Sequence, residues 1–458
     1  MLKIVFYGYS KGILSSRGLE EACRTNIIFK ALSANSEPHF TSIASFISEM
    51  KDEILSIFVN VLMVCSELDL IGGGTFALDG CKLSSNAAKE WSGTFADLRK
   101  KKEKFEAKAR VLLDKHRAND QNETIDIAQQ EKAAKQIERI RKKAEKIERF
   151  LQENEERTGK RGRENQSNIT DNESAKMQSA KGVIQGYNGL AVADAKNQIV
   201  VSAEAFGSGQ EGQFLLNMVE KTRLNLRLAS GAGNIKRLKG KTFLADTNYF
   251  SEDNLEYLAG EKIGAVIPDQ QFRKRDPRFA TQERHKLEKN QYTQEDFTYE
   301  PKENHYVCPS GKILVFKGER ILGVAHGRNY AAKQGDCGVC KLRERCLRTS
   351  KVERRTLFVI DEMDRREFSD RMRQKIDTEE GRDLYSKRMG IIEPVFADIT
   401  HCKGMDRFTL RGKVKVNIQW LLYCMVHNIG KIAGTGALAG VGWKIKGRWK
   451  GIRPPNSK

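Results

Sequence analysis

Two short apolar runs in this sequence each end at an aspartate, and this feature constrains the fold most strongly. Glycines precede the run at residues 75–78, which ends at Asp79, and the segment GKTFLADTNYF contains a second run that ends at Asp246. Short apolar runs bounded by glycine and polar residues are typical of buried strands. Helical patterns lie between and after these runs, so we expect a mixed α/β fold.

The order of the remaining patterns agrees with such a fold. Between the two acids, VIQGYNGLAVADAKNQIVVSAEAF predicts a β-hairpin and GQFLLNMVEKTRLNLRL predicts a helix. After the second acid, Ser251 suits a helix N-cap, Gly260 suits a helix end, and a short strand is closed by Pro268. A third acid, Glu393, lies on a late helix in YSKRMGIIEPVF, so the three acids can meet only through the fold.

Residues 96–166 interrupt this alternation with a Lys/Glu-rich segment of high helix propensity. One apolar stripe at helical spacing runs along its second half: Ile137, Ile140, Ala144, Ile147 and Leu151. A polar turn, RANDQNETID, separates two helical runs, so we expect a helical hairpin that projects from the main body. It is either a solvated coiled-coil arm held by salt bridges or an arm that touches DNA.

Three acids at the ends of strands and on a helix have a definite chemical use. Mg²⁺ prefers oxygen ligands and usually takes a few carboxylates together with water and phosphate oxygens. Two such ions can activate an attacking oxygen and stabilise a leaving oxygen in phosphodiester displacement. Each acid alone also has an ordinary explanation, because aspartate commonly starts a turn and a helical glutamate is usually solvated.

Several segments resemble the signature blocks of bacterial insertion-sequence transposases of the DDE class. The blocks are ALDGCKLSSNAAK (77–89), LADTNYFSEDNLEYL (244–258) and the long stretch that begins YSKRMGIIEPVF and spans 385–433. The segments QSNITDNESAKM and GVIQGYNGLAVAD resemble the middle region of the same family. The resemblance covers about residues 2 to 435.

This resemblance implies an RNase H-like catalytic core in which Asp79, Asp246 and Glu393 form the metal-binding DDE triad. It also implies Mg²⁺ or Mn²⁺ as the cofactor. The expected activity is cleavage of insertion-sequence ends and transfer of the freed 3′ ends to target DNA by two-metal-ion transesterification. Two such ends are brought together in transposition, so a homodimer is expected in the synaptic complex.

Tyr385 and Arg388 stand at the family's usual places for a supporting Tyr and Arg, which contact the DNA backbone or order the acidic helix. Their alternative is an ordinary pair on the helix surface. The family commonly has a basic residue seven positions after the catalytic glutamate, and here that position is Thr400. Lys403 and Arg407 are near and are the expected substitutes.

Family members usually have some tens of residues before the equivalent of the first helix, whereas this sequence starts inside that helix. This difference predicts a truncated N-terminal DNA-binding region. Two other functions therefore stay open at this point. One is a non-catalytic DNA-binding remnant that acts as a repressor, and the other is a metal-dependent DNA nuclease without joining activity.

We predict five kinds of segment along the chain. They are a helical N-terminal region (1–70), an RNase H-like core (71–95, 167–268 and 376–435), a charged helical-hairpin insertion (96–166), a basic cysteine-rich insertion (269–375) and a basic disordered tail (436–458).

Four cysteines lie in the segments CPSGK and CGVCKLRERC: Cys308, Cys337, Cys340 and Cys346. A Cys-x2-Cys pair can hold one ion across a turn, and the other two thiols could complete a tetrahedral zinc site. His305 or His326 is an alternative fourth ligand, and a set of reduced thiols without metal is the plain alternative. Basic neighbours of the cluster are expected to contact DNA: Lys341, Arg343, Arg345 and Arg348.

The chain has a net charge of +20 over 458 residues, which favours a polyanionic partner, with nucleic acid preferred to a membrane surface. No run approaches the about 18 apolar residues of a membrane span. Nine cysteines without a secretory signal argue against a disulfide framework. We therefore expect a cytoplasmic, nucleoid-associated protein that binds no membrane.

Overall fold

The structure is a computed structural model, and it describes residues 1–120, 127–158, 162, 164–179, 182–230, 238–281, 292–322, 325–347, 349, 351–360 and 367–435. The fold is mixed α/β, as predicted, with about 51% helix and 20% strand, and it is consistent with an RNase H-like core. In the described part of the chain, no helix is both long and apolar enough to cross a membrane. The predicted tail at 436–458 lies outside the described residues.

The chain divides into two compact units. The first unit comprises Met1–Tyr249, Gly260–Ala265 and Ser386–Lys458, and the second comprises Phe250–Ala259 and Val266–Tyr385. The finer segment boundaries expected from the sequence stay predictions.

Helices dominate the start and the end of the chain. Their bounds are α1 Leu2–Ser10, α2 Ser16–Thr25, α3 Ile27–Ser33, α4 Phe40–Glu49, α5 Ile54–Glu67, α6 Phe95–Asp120, α7 Ile127–Glu153, α8 Leu215–Ala229, α9 Glu252–Gly260, α10 Phe272–Arg275, α11 Arg343–Cys346, α12 Glu367–Ile376, α13 Glu379–Ala397 and α14 Lys413–Gly434. A π-helical turn, Asp398–Cys402, follows α13 directly.

In the described part of the chain, the strands form three sheets. Their bounds are β1 Thr75–Ser84, β2 Ser92–Gly93, β3 Ser167–Asn168, β4 Ala175–Ser179, β5 Gly182–Asp194, β6 Val200–Phe206, β7 Thr242–Ala245, β8 Gly264–Val266, β9 Thr298–Glu300, β10 His305–Val307, β11 Ile313–Leu322, β12 Ala325–Ala332 and β13 Thr356–Ile360.

The main sheet has the order β4-β5-β1-β7-β8, and β6 pairs with β5. Strand β1 is antiparallel to β5 and parallel to β7. The prediction that the first acid-bearing strand stops at Asp79 is wrong, because β1 continues to Ser84. Only the parallel pairing ends early: the pairing with β7 ends at Leu78, whereas the pairing with β5 holds the backbone extended up to Ser84.

The glycine run before β1 is held by one buried acid at the end of β5. The Asp194 carboxylate accepts hydrogen bonds from the backbone N–H groups of Gly72 at 3.0 Å and Gly73 at 2.7 Å. Gly73 has φ of 65°, a left-handed conformation that costs glycine little. The loop thus enters β1 in a defined position, which helps to place Asp79.

Helix α14 is the main apolar support of the sheet and packs against β6 and α5. Its Trp420 is fully buried and donates its indole N–H to the Leu190 carbonyl at 2.9 Å. The ring lies so close to Gly189 that a Cβ there would come within 2.8 Å of it. A buried Trp needs such a hydrogen-bond partner, and a glycine on β5 makes the approach possible.

Helices α6 and α7 pack along each other, and the predicted stripe lies in their contact. Ile137, Ile140, Ala144 and Ile147 are buried. One apolar cluster joins the base of both helices to the segment before β4: Phe95, Leu98, Ile147, Phe150 and Ile169. Ion pairs also join the two helices, among them Lys102 of α6 with Glu148 of α7 at 2.7 Å. Whether this helical pair touches DNA stays a prediction.

The second unit is built on a five-stranded antiparallel sheet in the order β13-β12-β11-β10-β9. Its core is small and aromatic: Phe297, Tyr306, Leu314, Tyr330, Ala332 and Leu357. Three of the predicted zinc-binding cysteines pack against this core, namely Cys308, Cys337 and Cys346.

Candidate active site

Strand register brings Asp79 and Asp246 to the same edge of the main sheet. The last parallel pair of β1 and β7 is Leu78 with Ala245, and the next residue on each strand is an aspartate. Carboxyl ends of parallel strands meet at one edge of a sheet, where ligands usually bind in α/β folds. The two acids are 167 positions apart in the sequence and become neighbours only through this pairing.

Both aspartates line an open cleft, and Glu393 lines the same cleft from helix α13. The Glu393 side chain is exposed, whereas the aspartates are partly buried. The other lining residues come from β1, from the β6–α8 link, from the Asp246 turn and from the π-helical turn: Gly80, Cys81, Lys82, Gln178, Ser179, Glu211, Asn248, Phe396, Ala397, Thr400 and His401.

A carboxylate that the sequence did not indicate, Glu211, joins the two aspartates. Among the described residues, one group of three potential metal ligands has all its ligand atoms within 4.8 Å of one another, and it consists of Asp79, Glu211 and Asp246. Glu393 is not a member of this group, although it lines the cleft. The structure therefore brings two of the three predicted triad acids close together and places the third on the wall beside them.

The electrostatics of the cleft reflect this crowding of acids. Burial raises the pKa of Asp246, and the neighbouring Asp79 raises it further. Burial, Asp79 and Asp246 together raise the pKa of Glu211 to about 7. Lys82 opposes both shifts, but it does not outweigh them. Such a site favours a cation, because a bound cation offsets the repulsion between the carboxylates.

Local hydrogen bonds hold the two aspartates in place. The Asp246 carboxylate accepts from the backbone N–H of Asn248 at 2.9 Å and from its side-chain amide at 3.0 Å. Asp79 accepts the N–H of Gly80 on one oxygen at 2.8 Å. The other oxygen accepts from Arg388 Nη1 at 2.6 Å. Both side chains are thus oriented before any ligand arrives.

Arg388 lies on α13 one and a half turns before Glu393, and its side chain is only 10% exposed. Its ion pair with Asp79 joins helix α13 to strand β1. This contact suits one of the roles expected for the residue, which is to order the acidic helix. Tyr385 belongs to the second unit, where its ring packs edge-on against Phe272 at 5.4 Å.

The three residues considered for the family's basic position lie in different surroundings. Thr400 lines the cleft and donates its hydroxyl to the Phe396 carbonyl at 2.8 Å. Lys403 does not line the cleft and forms an ion pair with Asp398. Arg407 is exposed, and its backbone forms a bridge with Ser84 at the end of β1.

His401 is a cleft residue that the sequence analysis did not select. It is exposed and lines the cleft beside Thr400. Helical periodicity places the seventh residue after Glu393 on the same face, but residues 398–402 form a π-helical turn. The wider turn shifts the register, so a pattern of period 3.6 gives no signal for His401.

Glu211 was missed for a different reason. It lies in GSGQEGQF, a polar link with three glycines, where an acid usually remains solvated. Only 5% of its surface is exposed, and the fold places its carboxylate within 4.8 Å of Asp79 and Asp246. The only local signal was an acid between a strand pattern and a helix pattern.

The four predicted zinc ligands line one small cavity in the second unit, whereas neither His305 nor His326 lines it. Backbone N–H groups point at two of the sulfurs, from Lys312 to Cys308 Sγ at 3.3 Å and from Arg355 to Cys337 Sγ at 3.4 Å. In the described part of the chain, however, no three of the sulfurs lie within 4.8 Å of one another. Burial raises the pKa of the Cys346 thiol, and the nearby Arg355 offsets this rise only in part.

The basic residues near this cavity have unequal freedom to contact DNA. Lys341 is exposed. Arg343 donates to the Cys337 and Val352 carbonyls, each at 2.9 Å, so its guanidinium supports the cysteine loop. The Arg345 guanidinium lies over the Tyr292 ring at 4.6 Å. Arg348 lies outside the described residues.

A mixed α/β core with acids on adjacent parallel strands and on a helix beside them is consistent with an RNase H-like fold. Two family models match the chain: a Transposase DDE domain at residues 307–433 and a Transposase domain (DUF772) at residues 1–49. Both models describe transposase domains, and the two matches confirm the resemblance to insertion-sequence DDE transposases.

The first match contains Glu393 and the cysteine cluster, whereas Asp79 and Asp246 lie outside both matched stretches. No curated protein matches the chain. The matched transposase DDE domain implies DNA as a partner and, in general, an activity that cleaves and transfers DNA strands.

Proposed function

We propose that this transposase cleaves the ends of an insertion sequence and joins the freed 3′ ends to target DNA, with Asp79, Asp246 and Glu393 as its metal-binding triad. The observation that carries the proposal is the register of β1 and β7, which puts two of the acids side by side in the cleft that Glu393 also lines. The proposed metal ions are Mg²⁺ or Mn²⁺, since carboxylate oxygens suit these hard cations.

The proposed chemistry needs no covalent bond between protein and DNA. In cleavage, a water oxygen bonds to phosphorus, the bond from phosphorus to the 3′ oxygen breaks, and that oxygen leaves as a hydroxyl. In joining, this hydroxyl attacks a target phosphorus and displaces the target's own 3′ oxygen. Divalent ions at such a site activate the attacking oxygen and stabilise the leaving oxygen.

The protein's own groups have separate tasks in this scheme. Asp79, Asp246 and Glu393 hold the ions, and Arg388 orients Asp79 through their 2.6 Å ion pair. Lys82 lines the cleft and is suited to contact a phosphate oxygen of the bound strand. The rigid strand ends keep the carboxylates at fixed positions, which reduces the reorganisation needed when DNA binds.

A plasmid assay tests this proposal. The donor is a supercoiled plasmid that carries the DNA flanking the gene on both sides, and the reactions contain Mg²⁺ with wild type or with Asp246→Asn. We expect cleaved ends and joined products with wild type and a loss of both by at least about 10³-fold with the variant. DNA binding in a gel-shift assay should stay within about threefold of wild type, because the substitution keeps the shape of the side chain.

The other outcomes of this assay separate the alternatives. Cleaved ends without joined products from wild type would favour a metal-dependent nuclease. Binding without cleavage in Mg²⁺ and in Mn²⁺ would favour a non-catalytic repressor. Equal activity of wild type and Asp246→Asn would exclude Asp246 from the site.

We further propose that the four cysteines that line the small cavity of the second unit hold a structural zinc ion. They satisfy the donor chemistry of a four-thiolate site, and the N–H groups directed at Cys308 and Cys337 would stabilise thiolates. Side-chain rotations would have to bring the sulfurs closer together, because no three of those described lie within 4.8 Å of one another. The apolar core of the second unit is small, so a bound zinc ion would add to the stability of this unit.

Metal analysis tests the zinc proposal. Purified wild type should contain about one zinc per chain, and the double variant Cys337→Ser/Cys340→Ser should contain less than about a tenth of that. Cys402→Ser is the matched control, since Cys402 is exposed and lies outside the cavity. Wild type without zinc after expression in zinc-supplemented medium would contradict the proposal.

We propose a homodimer as the form that holds two element ends together. Two ends must react in one complex, and the described residues of one chain contain one cluster of three acids that could hold a metal ion. Light scattering of the purified complex with end DNA should give a mass of two chains and two DNA ends. A mass of one chain per end would contradict this.

A further inference from the structure

Glu211 is a buried acid that neither the resemblance nor the family matches explain. It lies in the link between β6 and α8, outside both matched stretches. Its carboxylate nevertheless comes within 4.8 Å of both Asp79 and Asp246. Lysine and arginine partners often account for buried acids, but no ion pair of Glu211 with a lysine or arginine occurs among the described residues.

The spacing of the three carboxylates suits one divalent cation. Mg²⁺ binds oxygens at about 2.0–2.1 Å, so two of its ligand oxygens lie about 3 to 4 Å apart. The observed upper limit of 4.8 Å needs only small side-chain movements to reach that range. Three acids so close together repel one another where water is scarce, and a divalent ion offsets this repulsion.

A buried amide beside Glu211 gives independent support. Asn188 on β5 is fully buried, and neither its side-chain oxygen nor its nitrogen makes a hydrogen bond of ordinary geometry. It is still near enough to Glu211 to lower the pKa of that carboxyl. Its oxygen lies over Gly80, 2.6 Å from where a Cβ would stand. A buried amide with unmade hydrogen bonds often indicates an ion or its bound water.

The contacts of Glu211 within the protein are weak by comparison. Its carboxylate accepts from the Tyr249 hydroxyl at 3.4 Å, a long hydrogen bond. This contact holds one oxygen loosely, and the carboxylate also interacts with the Asn188 side chain and lies within 4.8 Å of both aspartates.

We propose that Glu211 is a fourth acid of the metal centre and ligates the divalent ion that Asp79 and Asp246 share. Glu393, which lines the cleft from α13, then contributes its carboxylate to the same metal centre. The inference rests on the proposed function, because it takes Asp79 and Asp246 as metal ligands. It adds a ligand from the β6–α8 link that the DDE triad does not include.

Calorimetric titration of the full chain with Mn²⁺, without DNA, tests the role of Glu211. Glu211→Gln should weaken Mn²⁺ binding by about tenfold or more, because it removes a charged ligand and keeps the side-chain shape. Glu204→Gln is the matched control. Glu204 is a buried acid on β6, 9% exposed against 5% for Glu211, and it pairs with Lys221 at 2.6 Å. The Mn²⁺ affinity of Glu204→Gln should therefore stay within about twofold of wild type.

A second variant separates metal binding from the hydrogen bond to Tyr249. Tyr249→Phe removes the hydroxyl that contacts Glu211 and leaves the carboxylate in place. We expect Mn²⁺ affinity within about twofold of wild type. If Tyr249→Phe weakened binding as much as Glu211→Gln, Glu211 would act through this hydrogen bond, and the proposal would be overturned.

The remaining outcomes keep the two proposals distinct. Unchanged Mn²⁺ affinity in Glu211→Gln, together with weaker binding in Asp246→Asn, would overturn the fourth ligand and leave the proposed triad intact. Unchanged affinity in both variants would count against the triad as well. If Glu211→Gln does not fold, Glu211→Asp replaces it: a loss of threefold or more supports the proposal, and wild-type affinity overturns it.

Discussion

Asp79 connects strand β1 to the acidic helix α13 through an ion pair with Arg388. One carboxylate oxygen accepts the N–H of Gly80, and the other pairs with Arg388 on α13, the helix that carries Glu393. The Arg388 and Asp79 side chains are only 10% and 14% exposed, so little water screens the pair. A change at Arg388 should therefore affect the position of the helix as well as the aspartate.

Loss of this pair should lower stability measurably. Arg388→Ala leaves the Asp79 carboxylate without its cationic partner in a poorly solvated place, and we expect the free energy of unfolding to fall by about 2–4 kcal/mol. The measurement is urea unfolding followed by tryptophan fluorescence. The neighbouring exposed Lys387→Ala is the control and should change stability by less than about 0.5 kcal/mol. Equal effects of the two variants would contradict the structural role of the pair.

A second acid, Asp398, should make stability depend on pH. Burial raises its pKa, but hydrogen bonds from His427 and Lys403 outweigh burial and lower the pKa to about 2. A carboxyl with a depressed pKa stabilises the fold above its ordinary value of 3.8, and this contribution is lost as the pH falls towards 2.

Asp398→Asn should thus cost about 2 kcal/mol at pH 7, and the difference from wild type should shrink steadily below pH 4. Urea unfolding of both proteins between pH 7 and pH 3 measures it. A difference that stays constant down to pH 3, or grows, would show that the carboxylate charge is not the cause.

At the scale of single elements, local patterns predicted helices better than strand ends. The stripe on α7 could be read from the sequence because its period is local, and the residues Ile137 to Ile147 of that stripe are buried as expected. The end of β1 could not be read in this way. Its extension to Ser84 depends on pairing with β5, a strand about a hundred positions away that no local pattern can indicate.

The helical pair α6–α7 should owe its stability to this stripe rather than to its many ion pairs. Ile147 is fully buried between Phe95, Leu98 and Phe150, so Ile147→Ala should cost about 2–4 kcal/mol. Lys142→Ala removes the Lys142–Glu138 ion pair on the exposed face and should cost less than about 0.5 kcal/mol. Thermal or urea unfolding compares the two. Similar losses in the two variants would mean that ion pairs stabilise the helical pair α6–α7 as much as the apolar stripe does.

At the scale of the whole molecule, the charge of +20 predicts strong and salt-sensitive binding to DNA. If the protein neutralises about five or more phosphates, a plot of log affinity against log salt should have a slope of about −4 or steeper. Fluorescence anisotropy with a labelled duplex at 50–200 mM KCl measures it. A slope shallower than about −1 would mean that the positive surface is not the DNA-binding surface.

The whole fold also explains which parts of the candidate site could be foreseen. Asp79 and Asp246 stand at the ends of strand patterns and Glu393 on a helix pattern, so their residue types and places were readable. Their meeting depends on the parallel pairing of β1 and β7. Glu211 and His401 needed the tertiary structure, because one lies in a glycine-bearing link and the other on a π-helical turn.

The central claim, that Asp246 holds the catalytic metal ion, is tested most directly by changing the chemistry of the ligand. Mn²⁺ accepts a sulfur ligand more readily than Mg²⁺ does, so a thiolate at this position should change the metal requirement. We predict that Asp246→Cys cleaves end DNA in Mn²⁺ but not in Mg²⁺, while wild type cleaves in both and Asp246→Ala in neither. Cleavage by Asp246→Cys in Mg²⁺ at the wild-type rate would contradict the claim.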